Sequence, residues 1–504
     1  MIRALLFTCL VAFGLASPTS SLVAAEKGGT LTVGMYSEFA GFNLAKVKAI
    51  PPNTMAPATA IMEGLFAYDY DDNYKIVPRL GLSFEEASDR LSAIVKLRSG
   101  VKFHDGTPFD AEAVVYHFSR VLDPSLGMGL ADSILRSLIR VEAVDALTVK
   151  FVLRQPWPSL QSALALDISM NLIGSPTALR SDPDGFNRKP IGTGPFYIRE
   201  WKAGDRLVVE RNTDYWDPDR PYVDRVVYRI LLDGNTRYQS LVAGELDIIW
   251  TDNISHVLEA RNNPRLKVYE YAGGSGAGWI FNHSKKPFND ARVRAAVTHA
   301  FNAAALVDGY FQGAATVAKE FFPNTPWSCS GLRWRTFDLD RAKALVASVG
   351  EPISVTVTAW STPSGRRLNS ILEQFLTAAG IKTQIEFVEP SRVGSRTMAG
   401  EFELMQWRFA DVGGEPDLAF GLTSFTGTKY RSEKADQLLA RAKDFADPKK
   451  RREVYCELSQ VLIDDAVVLL PEFANDFLIA NQTVKAIPGN QANLIRVRGV
   501  QLAK

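Results

Sequence analysis

One stretch, from Ile353 to Phe387, limits the possible fold more than any other. Ile353–Ala359 is a β-branched run that reads as a strand, and Gly365–Ala379 places Ile371, Leu372, Phe375 and Leu376 on one helical face. Gly380 ends that helix and Thr383–Phe387 forms the next strand. Two strands joined through a helix are parallel, and the crossover is right-handed. A parallel sheet is buried on both faces, so the chain needs helices above and below it, which is α/β architecture. Other segments follow the same alternation. Thr30–Met35, Ala93–Leu97, Leu207–Glu210 and Val226–Ile230 read as strands. Asp110 caps a helix carrying Val114, Phe118 and Val121, and Asn289 or Asp290 opens one carrying Val293, Ala296, Val297, Ala300 and Phe301. Val101–Phe103 precedes an Asp-Gly turn at Asp105-Gly106.

A chain of 504 residues has room for two to four domains with cores of their own. Charged residues at 22% and aromatics at 10% exclude disordered, collagenous and coiled-coil classes. With 57 basic residues against 56 acidic ones there is no basic field to attract nucleic acid. The N-terminus differs from the body: Arg3, the apolar Ala4–Ala16 and the small residues Val23-Ala24-Ala25 form a secretory leader cut before Glu26. Cys9 lies inside its apolar stretch, not at a lipidation site. Removing the leader leaves Cys329 and Cys456, which in an oxidising compartment are either a disulfide or two buried thiols.

Few motifs carry chemistry. His104, His117, His256, His283 and His299 are scattered, with no metal-ligand spacing, so no dedicated metal site and no cofactor is expected. Gly273–Gly278 lacks the Gly-Lys-Ser/Thr of a phosphate loop, and Ala277 stands where a nucleophile elbow needs Gly. It reads instead as a flexible crossing between lobes, followed by a strand at Trp279–Asn282. Gln406–Asp417 follows a short strand (Phe402–Met405) and reads as a recognition loop. Its aromatics offer flat faces, Arg408 a fork for carboxylate or phosphate, and its acids a partner for a cation or hydroxyl.

The order of several further motifs resembles the large extracytoplasmic solute-binding proteins of ABC importers (bacterial solute-binding family 5), which include oligopeptide, dipeptide and nickel-chelate binders. The residues are Glu63-Gly64-Leu65-Phe66, Pro78-Arg79-Leu80, Leu97–Phe109, Gly192–Phe196, Arg211–Trp216, Ala243–Asp247, and Asn282 with Pro287–Arg294. The resemblance implies an α/β periplasmic-binding-protein (type II-like) fold of two lobes joined by two strands, with an extra domain inserted in lobe one. Placed on this chain, residues 1–25 are the signal peptide, and 26–65, 189–272 and 480–504 form lobe one. Residues 66–188 form the insertion and 273–479 lobe two. Most of the motifs are expected to be structural, with Asn212, Tyr215 and Trp216 packing lobe one.

The implied function is capture of a peptide or small polar solute by hinge closure and its delivery to an inner-membrane ABC permease, by a periplasmic, monomeric, non-enzymatic receptor. Candidate ligand contacts are Tyr36, Met55, Trp279, Asn282, Trp360, Trp407, Arg408 and Asp411. Asp411 aligns with the family's partner for a ligand amine. The loop Trp360–Ser364 is short and lacks the carboxylate-binding Arg of dipeptide-type members. A sugar- or opine-like conjugate or a modified peptide is therefore favoured over a simple dipeptide, and nickel would need a chelator. The rival reading is a secreted hydrolase with an Asp/Glu pair across the cleft. A third is an export chaperone with a broad apolar groove.

Overall fold

The computed structural model describes residues 27–43, 52–126, 135, 137–410, 415–418, 428–487 and 494–503. The expected leader (1–25) and Asp411 lie outside the described residues.

The Ile353–Phe387 unit forms as the pattern requires. Ser354–Trp360 pairs in parallel with Lys382–Val388 along its whole length. The connecting helix, Pro363–Ala378, is capped by the Thr362 hydroxyl at Gly365 N and buries Leu368, Leu372 and Leu376. Gly380 follows at φ +86°, the left-handed turn that releases the chain into the next strand. Leu404–Ala410 lies in parallel on the other side of Ser354–Trp360. At the far end of the same sheet, Thr30–Met35 pairs in parallel with Arg225–Ile230 and with Ile248–Thr251.

Two long antiparallel strands join these halves. Leu266–Phe281 pairs with Glu472–Asn481 over its first half and with Leu404–Ala410 over its second. Glu472–Asn481 in turn pairs with Ile248–Thr251. Two layers of parallel sheet thereby merge into one 12-stranded sheet that runs through the molecule. The register slips between Tyr271 and Ser275, where the strand changes partners. The expected flexible crossing at Gly273–Gly278 is corrected here: the run is strand. Glycine is needed there for space, because a Cβ at Gly276 would stand 2.5 Å from the Glu472 carbonyl oxygen, and one at Gly278 2.3 Å from that of Leu469.

Three main cores divide the chain. One draws on Leu31–Met62, Leu172–Trp250 and Leu478–Val500 (lobe one). Another draws on residues from Trp279 to Leu469 (lobe two). The third, from Leu65 to Ile173, belongs to the inserted domain. That domain is an antiparallel sheet in the order Gly81–Glu86, Ser92–Leu97, Thr148–Leu153, Leu138–Asp145, with helix Ala111–Val121 on one face. Asp110 caps the helix at Ala113 N, and Phe118 meets Phe151 edge-on. The Asp105-Gly106 turn forms, but Val101–Phe103 contributes only a single bridge, Lys102 to Pro108.

The joint between insertion and lobe one is a buried carboxylate. Glu63 accepts hydrogen bonds from Tyr215 Oη (2.6 Å), Trp216 Nε1 (2.8 Å) and Thr193 Oγ1 (3.1 Å). Three of the sequence motifs thus converge on one side chain, and Trp216 packs against the insertion's core as well.

Cys329 and Cys456 form a disulfide, with Cα atoms 5.5 Å apart. It closes a loop across 127 residues and anchors the long helix Pro448–Asp464 to the segment around Trp327. A loop of that length removes much unfolded-state entropy, so replacing both cysteines by serine is expected to cost about 4–5 kcal/mol. Urea unfolding of the double variant beside the oxidised wild type measures it.

Candidate functional site

Where the sheet passes from one lobe to the other, a cavity of ≈ 750 Å3, counting the part open to solvent, lies against the crossing strands. Trp250, Thr251 and Asp252 reach it from the end of the lobe-one strand Ile248–Thr251. Trp360 and the Gln406–Arg408 segment face them from lobe two, with Tyr310 and Phe311 closing another side. Asn475, Asp476 and Phe477 of the returning strand form the wall between. The cavity is therefore mainly apolar, with aromatic rings and a few polar groups set into it, the usual build of a small-molecule site.

Its charge is organised around Asp476, which is 2% exposed. One oxygen, Oδ1, accepts from Arg408 Nη2 at 2.7 Å and from Trp250 Nε1 at 3.3 Å. The other, Oδ2, is buried with no hydrogen-bond partner among the described residues, as are the indole nitrogens of Trp360 and Trp407. The Arg408 guanidinium also lies 5.7 Å from the Trp250 ring. Two pleat repeats away on the same strand, Glu472 is wholly buried and accepts from Ala277 N at 2.7 Å. Burial pushes its carboxyl up to about 8, against the pull of the Ala277 amide and of Arg408, and with a push from Asp476.

The candidates drawn from the sequence separate into groups. Trp360, Trp407 and Arg408 are brought together on the cavity wall. Tyr36 stands behind it, its ring 5.0 Å from that of Trp250, with its hydroxyl pushed up by burial. Three others do not line the cavity. Trp279 shares a strand face with Ala277 but lies two residues deeper, under helix Pro363–Ala378, and is 1% exposed. Its Nε1 donates to Asn369 Oδ1 at 2.9 Å, and Asn369 Nδ2 donates to Gln406 Oε1, which also accepts from Trp360 N. Trp279 thus fixes the wall from behind. Asn282 spends its amide on the carbonyls of Gly400 and Phe402 and on Ser284, holding a turn. Met55 is packed in the lobe-one core.

The recognition loop is also revised. Gln406–Ala410 continues the strand, which runs Leu404–Ala410. Trp250, Tyr310, Asn475, Asp476 and Phe477 were not among the candidates. Asp476 had a signal, since it interrupts the otherwise largely apolar strand Glu472–Asn481. Among the described residues no group of three His, Cys, Asp or Glu side chains is placed to hold a metal ion.

Glu472 gives the site a measurable pH signature. Its carboxyl titrates near 4.5 when unfolded and near 8 when folded, so the folded state is favoured most at low pH and loses that advantage as pH rises to 8. Glu472→Gln removes the titration and keeps an acceptor for Ala277 N. The variant's stability relative to wild type is expected to climb between pH 5 and 8 and level off above. A difference that stays flat in urea unfolding across that range would show that Glu472 is ionised in the folded protein.

Residues 75–442 match the family described as bacterial extracellular solute-binding proteins, family 5 Middle. Di/tripeptide-binding protein 1 of Pseudomonas aeruginosa (strain UCBPP-PA14) is 29% identical over 434 residues, covering 77% of this chain and 79% of its own. The glutathione-binding protein GsiB of Shigella flexneri is 28% identical over 473 residues, covering 90% and 91%. Among solved structures, the periplasmic binding protein DppA of Helicobacter pylori, in complex with the peptide STSA, superposes with a TM-score of 0.87. It is 24% identical and covers 95% of this chain and 99% of its own. The two lobes, the insertion and the match across most of the chain agree: this protein belongs to family 5 of the bacterial extracellular solute-binding proteins, the binding components of ABC importers.

Proposed function

We propose that this chain is a periplasmic, monomeric receptor that captures a small polar solute carrying a carboxylate, such as a modified peptide or an opine-like conjugate, and hands it to an ABC permease. The observation that carries the reading is the arc of Trp250, Trp360 and Trp407 around Arg408 at the crossing strands. Asp476 occupies one guanidinium nitrogen and leaves N–H groups of Arg408 for an anion, while the unpartnered Trp360 and Trp407 indoles seek acceptors. The indole faces suit flat or apolar parts of the solute. Because Trp250 belongs to one lobe and Trp360 and Trp407 to the other, a solute touching all three favours the closed state over the open one.

Export is supported by the leader pattern of residues 1–25 and by a disulfide suited to an oxidising compartment. Among the described residues no helix is long and apolar enough to cross a membrane. The family's members bind solutes, and the hydrolase reading finds no support.

Native mass spectrometry of the mature protein from its source is expected to find a co-purifying small molecule, released intact on denaturation. Calorimetry with glutathione, unmodified di- and tripeptides and a sugar–amino acid conjugate then ranks the classes. For whichever binds, Arg408→Gln is expected to weaken affinity about ten- to a hundredfold, the value of a hydrogen bond to a charged group. Hydrolysis of the bound solute, or unchanged affinity in Arg408→Gln, would overturn the proposal.

A further inference from the structure

The inserted domain belongs to lobe one by its joint at Glu63, yet it also touches lobe two directly, far along the chain from the crossing strands. The corner before and within the short helix Leu160–Ala165 presents Trp157, Ser159 and Ser162, all buried. Opposite stand Glu415 and Asp417, on the segment that follows the lobe-two strand Leu404–Ala410, and Arg451 of helix Pro448–Asp464.

The fit is dense. Ser162 Oγ donates to Glu415 Oε1 at 3.0 Å, and Ser159 Oγ lies 2.8 Å from Asp417 Oδ1 and 3.3 Å from Glu415 Oε2. Trp157 Nε1 donates to Asp417 Oδ2 at 3.2 Å. Arg451 Nη1 reaches Ser159 Oγ at 3.4 Å and Glu415 Oε2 at 3.5 Å, and its guanidinium lies over the Trp327 ring. Leu418, 3% exposed, inserts into the core of the inserted domain. The lobe-two side is braced from behind, since Trp327 and Tyr455 meet edge-to-face beside the Cys329–Cys456 bridge. A second contact is independent of the first. Arg90 of the inserted domain donates to the carbonyls of Asp444 (2.9 Å) and Lys443 (3.0 Å), which end helix Glu433–Lys443. A cation at a helix C-terminus satisfies carbonyls that have no partner inside the helix.

We propose that these two contacts form a latch between the inserted domain and lobe two, which holds the receptor closed and sets how long it stays so. None of the latch residues lines the ligand cavity. Its hydrogen bonds run directly from the inserted domain to lobe two, so the latch as proposed forms without a solute. Opening must expose Leu418 and break the Glu415 and Asp417 hydrogen bonds together. The latch therefore adds to the closed state an increment that is the same for every solute, while the cavity supplies the part that differs between solutes. Burial pushes the Glu415 carboxyl up to about 7, with Arg451 opposing and Asp417 adding, so glutamine is a fair mimic of its neutral form.

This inference rests on the hinge-closure reading, and the test separates the two. Spin labels at Ala143→Cys in the inserted domain and Lys434→Cys in lobe two, both exposed positions, report the distance across the latch by pulsed electron resonance. The protein is measured as purified and again after stripping by unfolding and refolding. In the stripped wild type a short-distance population is expected. Ser159→Ala/Ser162→Ala/Arg90→Ala is expected to reduce it about tenfold, from the loss of several hydrogen bonds. Glu415→Gln, which keeps an acceptor for Ser162, is expected to retain most of it. Arg90→Ala alone removes no buried hydroxyl and serves if the triple variant does not fold; about a threefold loss is expected. Distributions that match wild type in the variants would overturn the latch. If purified and stripped wild type nevertheless differ, hinge closure stands without it. One unchanging distance in every sample would overturn both.

Discussion

The molecule turns on one pair of antiparallel strands. Leu266–Phe281 leaves lobe one and ends in the middle of lobe two, and Glu472–Asn481 makes the return. A sheet continuous through both lobes gives each of them a rigid platform, and the crossing strand slips register between Tyr271 and Ser275. Just beyond that slip the backbones of Gly276 and Gly278 lie against the carbonyls of Glu472 and Leu469, an approach no side chain would permit. The cavity is built on this seam. Trp250, Trp360 and Trp407 sit on strands and not on loose loops, so under the proposed hinge closure a small change of angle there would move the first against the other two.

The parts of this arrangement that could be read from residues alone are those where local pattern and burial agree. The βαβ unit of Ile353–Phe387 is legible because helix and strand each show one clean apolar face, and the observed strands and helix fall within a few residues of the expected ones. Arg408 and the two tryptophans of the cleft stand out because bulky aromatics and a cation beside glycines have few purely structural uses. Trp279 carries the same chemical signal and is nonetheless core. Its strand is flanked on both sides and roofed by a helix, a tertiary fact that strand periodicity does not contain. Gly273–Gly278 misleads in the opposite sense. Glycine marks flexibility in a loop and close backbone approach in a sheet, and only the neighbour across the sheet decides which. The motif residues Glu63, Thr193, Tyr215 and Trp216 lie up to 153 positions apart, so their meeting at one carboxylate becomes visible only in the folded chain.

The two acids of the returning strand show how the cleft can be both buried and charged. Glu472 and Asp476 lie four residues apart, on the same face of the strand, with one guanidinium near them. Two carboxylates in so apolar a place cannot both be ionised cheaply. Arg408 takes the side of Asp476, at 2.7 Å, and Glu472 keeps its proton and leans on a backbone amide. Arg408 and Asp476 therefore offset one another in the wall, and Asp252 is the further acid at the cavity. Asp476 goes further, since the single oxygen Oδ1 receives Trp250 from lobe one and Arg408 from lobe two. A solute anion that draws Arg408 toward itself must loosen that shared contact. Under the proposed function, Arg408 would then both hold the solute and pass its presence to the strand Glu472–Asn481.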